Sequence, residues 1–594
     1  MTTGLWESED PWDVRRALGA GGDLSAYNAA GVLEAADVHV ARRLCAIAGD
    51  VDPRCALAVA LAVRAVRHGS VCLALDEVPE LAPDLPWPHL DEWRDALARS
   101  KVVASGAVAL EHGLVYLDRY RAQEQQVADD LVMRSARPAP VVDGARLAAA
   151  IERLYPDPTY AEQRVACVGA ATRWTTVLTG GPGTGKTTTV TRVLAVLTEQ
   201  LGPEARIALA APTGKAAARL QEQVLSAATD LPADDAARLQ GLRATTLHRL
   251  LGFRRDNQTR FRHDRSNRLP HDVVIVDETS MVSLTMMARL LEAVRPDARL
   301  VLVGDPDQLA SVEAGAVLDD LVEGFRGRED SPVVELGTIH RFGATIGELA
   351  QAIRAGDADA AIAVLRRGHD DVRWAETDDP ARVAEAVRAA ALPAALAVRT
   401  AALAGDGAAA LAALDQHRML SAHRDTVRWW NARVELWLRE AEPGATDLFG
   451  RMYAGRPLLV TRNDPGLGLY NGDTGVVVRG VDGRLRAVVA GAGGLIELAP
   501  GRLADVETMH AMTIHKSQGS QAHQVTVLLP DADSRLLTRE LLYTAITRAT
   551  GRVALIGSEE SLRSALGRRA HRASGLQRRL AGSLDSAETT RTRR

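Results

Sequence analysis

Lysine is nearly absent from this chain. Of 71 basic residues only four are lysines (Lys101, Lys186, Lys215 and Lys516), which leaves 67 arginines. A lysine that persists against such a bias marks a place where arginine's broad planar fork cannot replace a compact ammonium, a tight phosphate cradle above all. Cysteine is equally scarce. The four thiols, Cys45, Cys55, Cys72 and Cys167, contain no Cys-x-x-Cys pair, so zinc ribbons and the usual iron–sulfur spacings are unsupported. Four thiols in so long a chain do not make a disulfide framework either, and they are expected as buried, reduced side chains. Long apolar runs are missing too. Stretches such as 56–63 (Ala-Leu-Ala-Val-Ala-Leu-Ala-Val) fall well short of the roughly 18 residues a membrane span needs. The first ten residues are acidic and lack the basic-then-apolar order of a secretion leader. These absences point to the cytoplasm and away from a membrane.

What is present reads as ordinary soluble globular composition. The 594 residues imply about four domains at roughly 150 residues each. With 46% hydrophobic and 25% charged residues, a disordered chain, a collagen-like fibre and a coiled-coil rod are excluded. A net charge of −5 argues against a wholly basic nucleic-acid coat but allows a local basic channel.

Along the chain, 1–135 reads as mostly helical, and Arg137-Pro138-Ala139-Pro140 as a linker. From 141 apolar runs alternate with helices, the signature of an α/β fold with a parallel sheet. Its candidate strands are Trp174–Thr179, Arg206–Ala211, Val273–Asp277 and Leu300–Gly304. Residues 346–415 are alanine-rich and helical, with breaks near Gly356 and Gly405. A second sheet is expected from Met419–Ala422, Val525–Leu529 and Val553–Ile556. Between its parts, Pro457–Thr461, Thr474–Val478, Leu485–Val489 and Leu495–Leu498 are separated by Gly-rich turns and predict a small antiparallel β insertion. The expected organisation is therefore 1–135, 141–340, 341–454 with 506–575, an insertion at 455–505, and a basic flexible tail at 576–594.

Three strand ends carry chemistry. Gly180-Gly181-Pro182-Gly183-Thr184-Gly185-Lys186-Thr187 follows a strand and opens a helix. Glycines there expose backbone N–H groups to phosphate, Lys186 reaches the outer phosphates, and the Thr187 hydroxyl suits Mg²⁺. This predicts a nucleoside triphosphate site. Val273-Val274-Ile275-Val276-Asp277-Glu278 places Asp277 at a metal position and Glu278 where it can polarise the attacking water. Gly304-Asp305-Pro306-Asp307-Gln308 is a third strand end, and the neutral Gln308 amide can sense a γ-phosphate without adding charge.

In their order, these segments resemble the motifs of a superfamily-one helicase. Ala211-Pro212-Thr213-Gly214-Lys215-Ala216-Ala217, Thr246-Leu247-His248-Arg249-Leu250-Leu251-Gly252, Thr513-Ile514-His515-Lys516-Ser517-Gln518-Gly519-Ser520 and Tyr543-Thr544-Ala545-Ile546-Thr547-Arg548 extend the likeness. The insertion, with Leu459–Asp464 and Tyr470–Gly475, and the N-terminal Ala65–Ser70 and Leu117–Tyr120 are similar to the RecD family, the alpha subunits of exodeoxyribonuclease V (RecBCD). The resemblance implies two RecA-like motor domains, a helical N-terminal domain that docks a partner, and an SH3-like β-barrel insert. It also implies a 5′-to-3′ DNA helicase that uses ATP and Mg²⁺, works on single- and double-stranded DNA in break repair and recombination, and assembles with RecB-like and RecC-like subunits. Carried over by position, Gly180 through Thr188 and Gln163 would bind the nucleotide, with Gln163 reading adenine. Thr187 and Asp277 would hold the metal. Lys186, Asp277, Glu278, Gln308, Arg341 and Arg548 would be catalytic, Arg548 as a cross-domain arginine finger. Thr213, Lys215, Thr246, His248, Thr513, His515 and Lys516 would touch the strand. Thr246 and His248 have a competing reading as helix cap or core residue. Trp429, Trp430 and Trp437 could stack bases, but Trp430, Val434 and Trp437 share a helix face, which favours packing.

A metal-dependent nuclease core commonly sets an acidic residue two positions before a lysine. Here those positions are Arg99, Thr184, Thr213 and Ile514, so DNA cleavage falls to a partner subunit. Two alternatives remain: a free-standing helicase of the same type, disfavoured because 1–135 shows no Gly-centred helix–hairpin–helix repeats, and an ATP-gated scaffold, which would need neither Glu278 nor Arg548.

Overall fold

In the computed structural model, the described residues are 13–17, 22, 24–254, 260–338, 344–464, 466–491, 494–534, 536–570 and 572–581. The N-terminal part packs the helices Ala35–Ala48, Pro53–Arg67 and Leu90–Ala98 around Leu33, Val38, Leu61, Trp93 and Leu97. Asp52 caps the second of these, with proline in its first turn, where a missing N–H costs nothing. A three-stranded antiparallel sheet (Leu73–Ala74, Val108–Glu111, Leu114–Leu117) closes this unit. The helix Asp118–Ser135 then leads to the first large sheet. Its buried Arg134 donates to the backbone carbonyls of Trp174 and Ala298 and to Thr175 Oγ1 (2.9 Å), occupying acceptors that open the strands. Trp174 in turn donates to Pro138 in the linker (2.7 Å).

The first large sheet is six-stranded and wholly parallel, in the order Ala244–Thr246, Ile207–Ala211, Val273–Val276, Arg299–Gly304, Thr175–Gly180, Val333–Leu336. The four expected strands occur within one residue at each end. The other two, one at each edge, were not anticipated. Ala244–Thr246 is too short to form an apolar run, and Val333–Leu336 carries an exposed Glu335. Both end beside elements that matter to the site.

The second sheet is five-stranded and parallel, in the order Val372–Glu376, Ala549–Gly557, Ala522–Leu528, His417–Ser421, Ala511–Thr513. The alanine-rich segment is helical as expected, with Asp357 and Asp406 capping helices at the two predicted breaks. It also contains the edge strand Val372–Glu376, which reads as polar because two of its five side chains, Arg373 and Glu376, face water. Pro380–Leu403 is the one described helix long and apolar enough to cross a membrane by length and composition. In this fold it packs on Gly407–Gln416 and Arg424–Ala441. Near its end, buried Arg399 is paired with Glu442 (2.7 Å) and Asp447 (2.9 Å).

The insertion forms an antiparallel five-stranded sheet, Gly494–Leu498, Leu485–Gly491, Thr474–Arg479, Pro457–Val460, Val506–Thr508. Among the described residues no strand pairing joins its two outer members into a closed barrel. The last strand lies beyond the expected boundary at 505 and leads directly into the second parallel sheet.

The expected flexible tail is corrected over its first residues. Residues 576–581 are helical, and Leu576 and Leu580 are fully buried; 582–594 lie outside the described residues. Apolar spacing and a buried ion cluster hold this segment against the N-terminal unit and the first sheet domain. Arg579 donates to Glu111 (2.7 Å) and to fully buried Glu124 (3.3 Å). Glu124 also accepts from the Ser574 hydroxyl (2.8 Å) and the Gly575 N–H (3.0 Å). Counting basic residues at the terminus does not reveal such a clasp, because its acids lie over 450 positions away. Arg579→Met would leave Glu124 buried without its cation, at a cost of about 3–5 kcal/mol. The expected result is a markedly lower thermal midpoint; an unchanged midpoint would show that the clasp contributes nothing.

Candidate nucleotide and strand site

The strand Thr175–Gly180 delivers the glycine-rich loop at its C-terminal end. Gly180 sits at φ +157°, and a Cβ there would lie 2.7 Å from the Leu336 carbonyl, so the edge strand Val333–Leu336 itself demands glycine. Gly185, at φ +81°, turns the chain into the helix Lys186–Leu201, leaving that helix's first N–H groups aimed into the loop. Lys186 Nζ donates to the carbonyls of Gly180 and Gly181, which hold the ammonium across the loop mouth. Thr184 is buried, with its hydroxyl donating to Gly181 (2.9 Å), while Pro182, Gly183 and Thr187 are partly exposed and Thr188 faces solvent. Gln163 is buried in the helix Ala161–Thr172, which packs beside the same strand.

Asp277 stands just past Val273–Val276, two strands away in the sheet. Burial and the neighbouring Glu278 raise its carboxyl to about 6, against the opposing pull of Lys186 and Arg219. A cation would remove both costs. The Thr187 hydroxyl and this carboxylate are the hard oxygen donors that Mg²⁺ takes. Glu278 is one of two described non-glycine residues with positive φ (51°). A left-handed glutamate costs about 1–3 kcal/mol and persists only where the surroundings enforce it. The Thr279 hydroxyl, donating back to Val276 (3.0 Å), holds the turn.

The third strand end meets the second sheet domain. Asp305 accepts from Gln308 Nε2 (2.9 Å) and, across the cleft, from the Tyr543 hydroxyl (3.2 Å). Arg548 donates to Gln308 Oε1. Leu309 N–H donates to Thr544 Oγ1 (2.8 Å), and Gln518 donates to the Leu309 carbonyl (2.7 Å). Asp305, Gln308, Tyr543, Thr544 and Arg548 are all buried. Tyr543 and Asp305 lie inside recognised motifs, yet neither was singled out. Arg354, paired with Asp307 at 2.6 Å, had no signal among 67 arginines. Arg341 lies outside the described residues; the loop before it is held by Glu162, which accepts from the N–H groups of Gly337 (2.8 Å) and Thr338 (3.2 Å).

The candidate strand residues cluster at sheet edges. Thr213, Thr246 and Thr513 follow or end the strands Ile207–Ala211, Ala244–Thr246 and Ala511–Thr513. Thr213 and Thr246 are N-caps, accepting from Ala216 and Arg249 N–H (both 3.2 Å), and Thr513 accepts from Lys516 N–H (3.3 Å). The capping alternative for Thr246 therefore holds, although each hydroxyl keeps a proton to donate. His248 is exposed and lies edge-on to Phe261. His515 is held below the usual histidine range by burial and by Arg572 and Arg424. Lys516 pairs with Glu507 (2.7 Å). Lys215 sits where both sheet domains and the insertion converge. Burial, Arg418 and Arg219 lower its ammonium to about 7, against Asp415 and Asp473. Trp430 and Trp437 are core residues, whereas Trp429 is 56% exposed.

The strained turn makes a test. Glycine accepts the Glu278 conformation without the steric penalty. Glu278→Gly should leave the thermal midpoint equal or higher while removing nucleoside triphosphate hydrolysis; a protein that is both less stable and still active would contradict this.

Three family models match the chain: an AAA domain over residues 163–314, a UvrD-like helicase C-terminal domain over 508–556, and the RecBCD enzyme subunit RecD N-terminal domain over 29–116. The chain is 57% identical to the RecBCD enzyme subunit RecD of Mycobacterium tuberculosis, covering 96% of this chain and 98% of that one. It is 59% identical to the RecBCD enzyme subunit RecD of Mycolicibacterium smegmatis, over 92% of this chain and 98% of that one. An ATP-dependent RecD2 DNA helicase of Deinococcus radiodurans is 33% identical over 79% of this chain, but only 59% of its own length is matched. With a phosphate loop, a carboxylate pair and a two-domain seam in place, and with identity of this extent, the chain belongs to the RecD family.

Proposed function

We propose that the chain is the ATP-driven 5′-to-3′ helicase subunit of a RecBCD-type helicase–nuclease in the cytoplasm, acting on DNA ends in double-strand break repair and recombination. Its partners would be RecB-like and RecC-like subunits, with cleavage carried out elsewhere in the complex. The observation that carries this reading is the hydrogen bond from Arg548 to Gln308. It joins a γ-phosphate-sensing amide on one RecA-like domain to an arginine on the other. A scaffold would have no need of that seam or of a strained Glu278.

In this reading Gly180 through Thr188 cradle the triphosphate, Gln163 faces the base, and Lys186 moves from its loop carbonyls to the outer phosphates. Mg²⁺, held by Thr187 and Asp277, would neutralise phosphate charge. Glu278 orients the attacking water and accepts its proton. Arg548 and Arg341 stabilise charge developing on the transferred phosphoryl group. Loss of the γ-phosphate removes the partner that draws the two domains together, and the cleft relaxes. Thr213, Lys215, Thr246 and His248 on one domain and Thr513, His515 and Lys516 on the other would grip backbone phosphate without reading bases. The insertion, which the resemblance reads as an SH3-like barrel, approaches the same helix start, with Tyr470 beside Gly214.

A free-standing helicase is the second reading. Coverage of 98% of each mycobacterial subunit, against 59% of the Deinococcus helicase, favours the subunit.

The direct test is ATP-dependent unwinding of duplexes bearing a 5′ or a 3′ single-stranded tail, with Lys186→Gln as control. Opening of the 5′-tailed duplex alone is expected; opening of the 3′-tailed one would refute the polarity. Arg548→Met should cut hydrolysis by about a thousandfold with nucleotide affinity largely kept, as for loss of an arginine finger. Hydrolysis within a few-fold of wild type would remove Arg548 from the mechanism. Lys215 generates a pH prediction. Below about 7 its ammonium is charged in the free protein and DNA binds without proton uptake; above it, binding must first protonate the lysine. Single-strand affinity should therefore fall as pH rises from 6 to 8.5, and Lys215→Met should flatten that trend. An equally steep trend in the variant would locate the titration elsewhere.

A further inference from the structure

The helix Gly214–Ala228 begins at the strand-facing Thr213 and Lys215 and runs past the nucleotide loop. Lys215, Arg219 and Gln223 recur every four residues along it, which puts them on one face. At the far end of this stripe the Gln223 amide meets the Thr187 hydroxyl at 3.1 Å. With the amide nitrogen donating to that hydroxyl, the amide oxygen accepts from Arg219 Nε (3.1 Å) and Nη2 (3.2 Å), satisfying all three groups. The Arg219 charge is felt at the near end of the stripe as well, where it lowers the Lys215 ammonium. Arg219 and Gln223 themselves belong to neither the phosphate loop nor the carboxylate pair, and the readings of the nucleotide and strand sites do not use them.

We propose that Arg219 and Gln223 are positioning residues that couple strand binding to the nucleotide site through this one helix face. The inference rests on the reading of the two ends as nucleotide and strand sites. The physical sense is short and rigid. A phosphate arriving at Lys215 places negative charge one helical turn from Arg219. Any turn or slide of the helix then moves the guanidinium that fixes the Gln223 amide. That amide sets which way the Thr187 hydroxyl points. A strand therefore alters the orientation of one hard-oxygen donor of the nucleotide site without touching it.

Two ligands that share such a stripe must change each other's affinity by the same factor. The measurement is a binding square on the full-length chain, with a fluorescent oligothymidylate and a non-hydrolysable imido analogue of ATP. Each is titrated with and without the other, in Mg²⁺ and in EDTA. In wild type the mutual change should be about 5- to 150-fold, the usual range for coupled sites. Arg219→Met and Gln223→Met should bring the factor close to one while each ligand alone still binds, and Arg219→Lys should recover part of it. A variant that merely packs poorly would weaken single-ligand binding and keep the factor. Wild-type coupling that survives in both methionine variants overturns the proposal, as does a wild-type factor of one when both ligands bind. A folded wild-type chain that binds neither ligand fails at the earlier step: it removes the functional reading, and the coupling falls with it.

Discussion

The seam between the two parallel-sheet domains is the constraint on which the rest depends. Asp305 and Gln308 leave the first domain at the end of one strand, and Tyr543, Thr544 and Arg548 arrive from a single helix and its following turn. All five are buried, so their hydrogen bonds form largely out of water, where a missing partner costs about 1–3 kcal/mol. In the proposed reading, a γ-phosphate placed here would compete directly for the Gln308 amide and the Arg548 guanidinium, which would make the seam a nucleotide sensor by its location.

Around it the molecule is arranged to transmit rather than absorb movement. The helix Gly214–Ala228 joins strand-facing residues to the phosphate loop. The edge strands Ala244–Thr246 and Ala511–Thr513 each end in a threonine whose hydroxyl accepts a backbone N–H three residues on. The C-terminal clasp at Arg579 ties the segment after the second domain back to the N-terminal unit through ion pairs and hydrogen bonds, with Glu124 accepting from three donors of one short segment. Such a tether restricts how the N-terminal unit shifts when the cleft opens.

Much of this was legible in the sequence because the chemistry sits where the backbone pattern is strongest. Continuous apolar runs such as Val273–Val276 identify central strands, and Gly, Lys, Asp and Gln at their ends stand out against the runs. Scarce lysine sharpens the reading: Lys186 lies in the phosphate loop, and Lys215 and Lys516 lie in the candidate strand-binding segments. Short edge strands were missed, since three or four residues facing water on one side carry no periodic signal. The helix Pro380–Leu403 falls inside the alanine-rich segment read as helical, but its membrane-like length does not stand out, because Arg382, Arg388 and Arg399 interrupt any apolar run. Arg219, Arg354 and Arg579 could not be distinguished among 67 arginines, because what sets them apart is a partner distant in sequence. Gln223 fails for the same reason: only the fold brings it to Thr187.

The most direct test of the account is the distance across the seam as the nucleotide changes. All four native cysteines are buried, so labels can be placed selectively on exposed sites such as Leu225→Cys on the first domain and Leu436→Cys on the second. Energy transfer between them should report two separations, a shorter one with the ATP analogue and a longer one with ADP or no nucleotide, and Arg548→Met should abolish the difference. A single separation that ignores the nucleotide in wild type would contradict the claim that this seam reads the γ-phosphate.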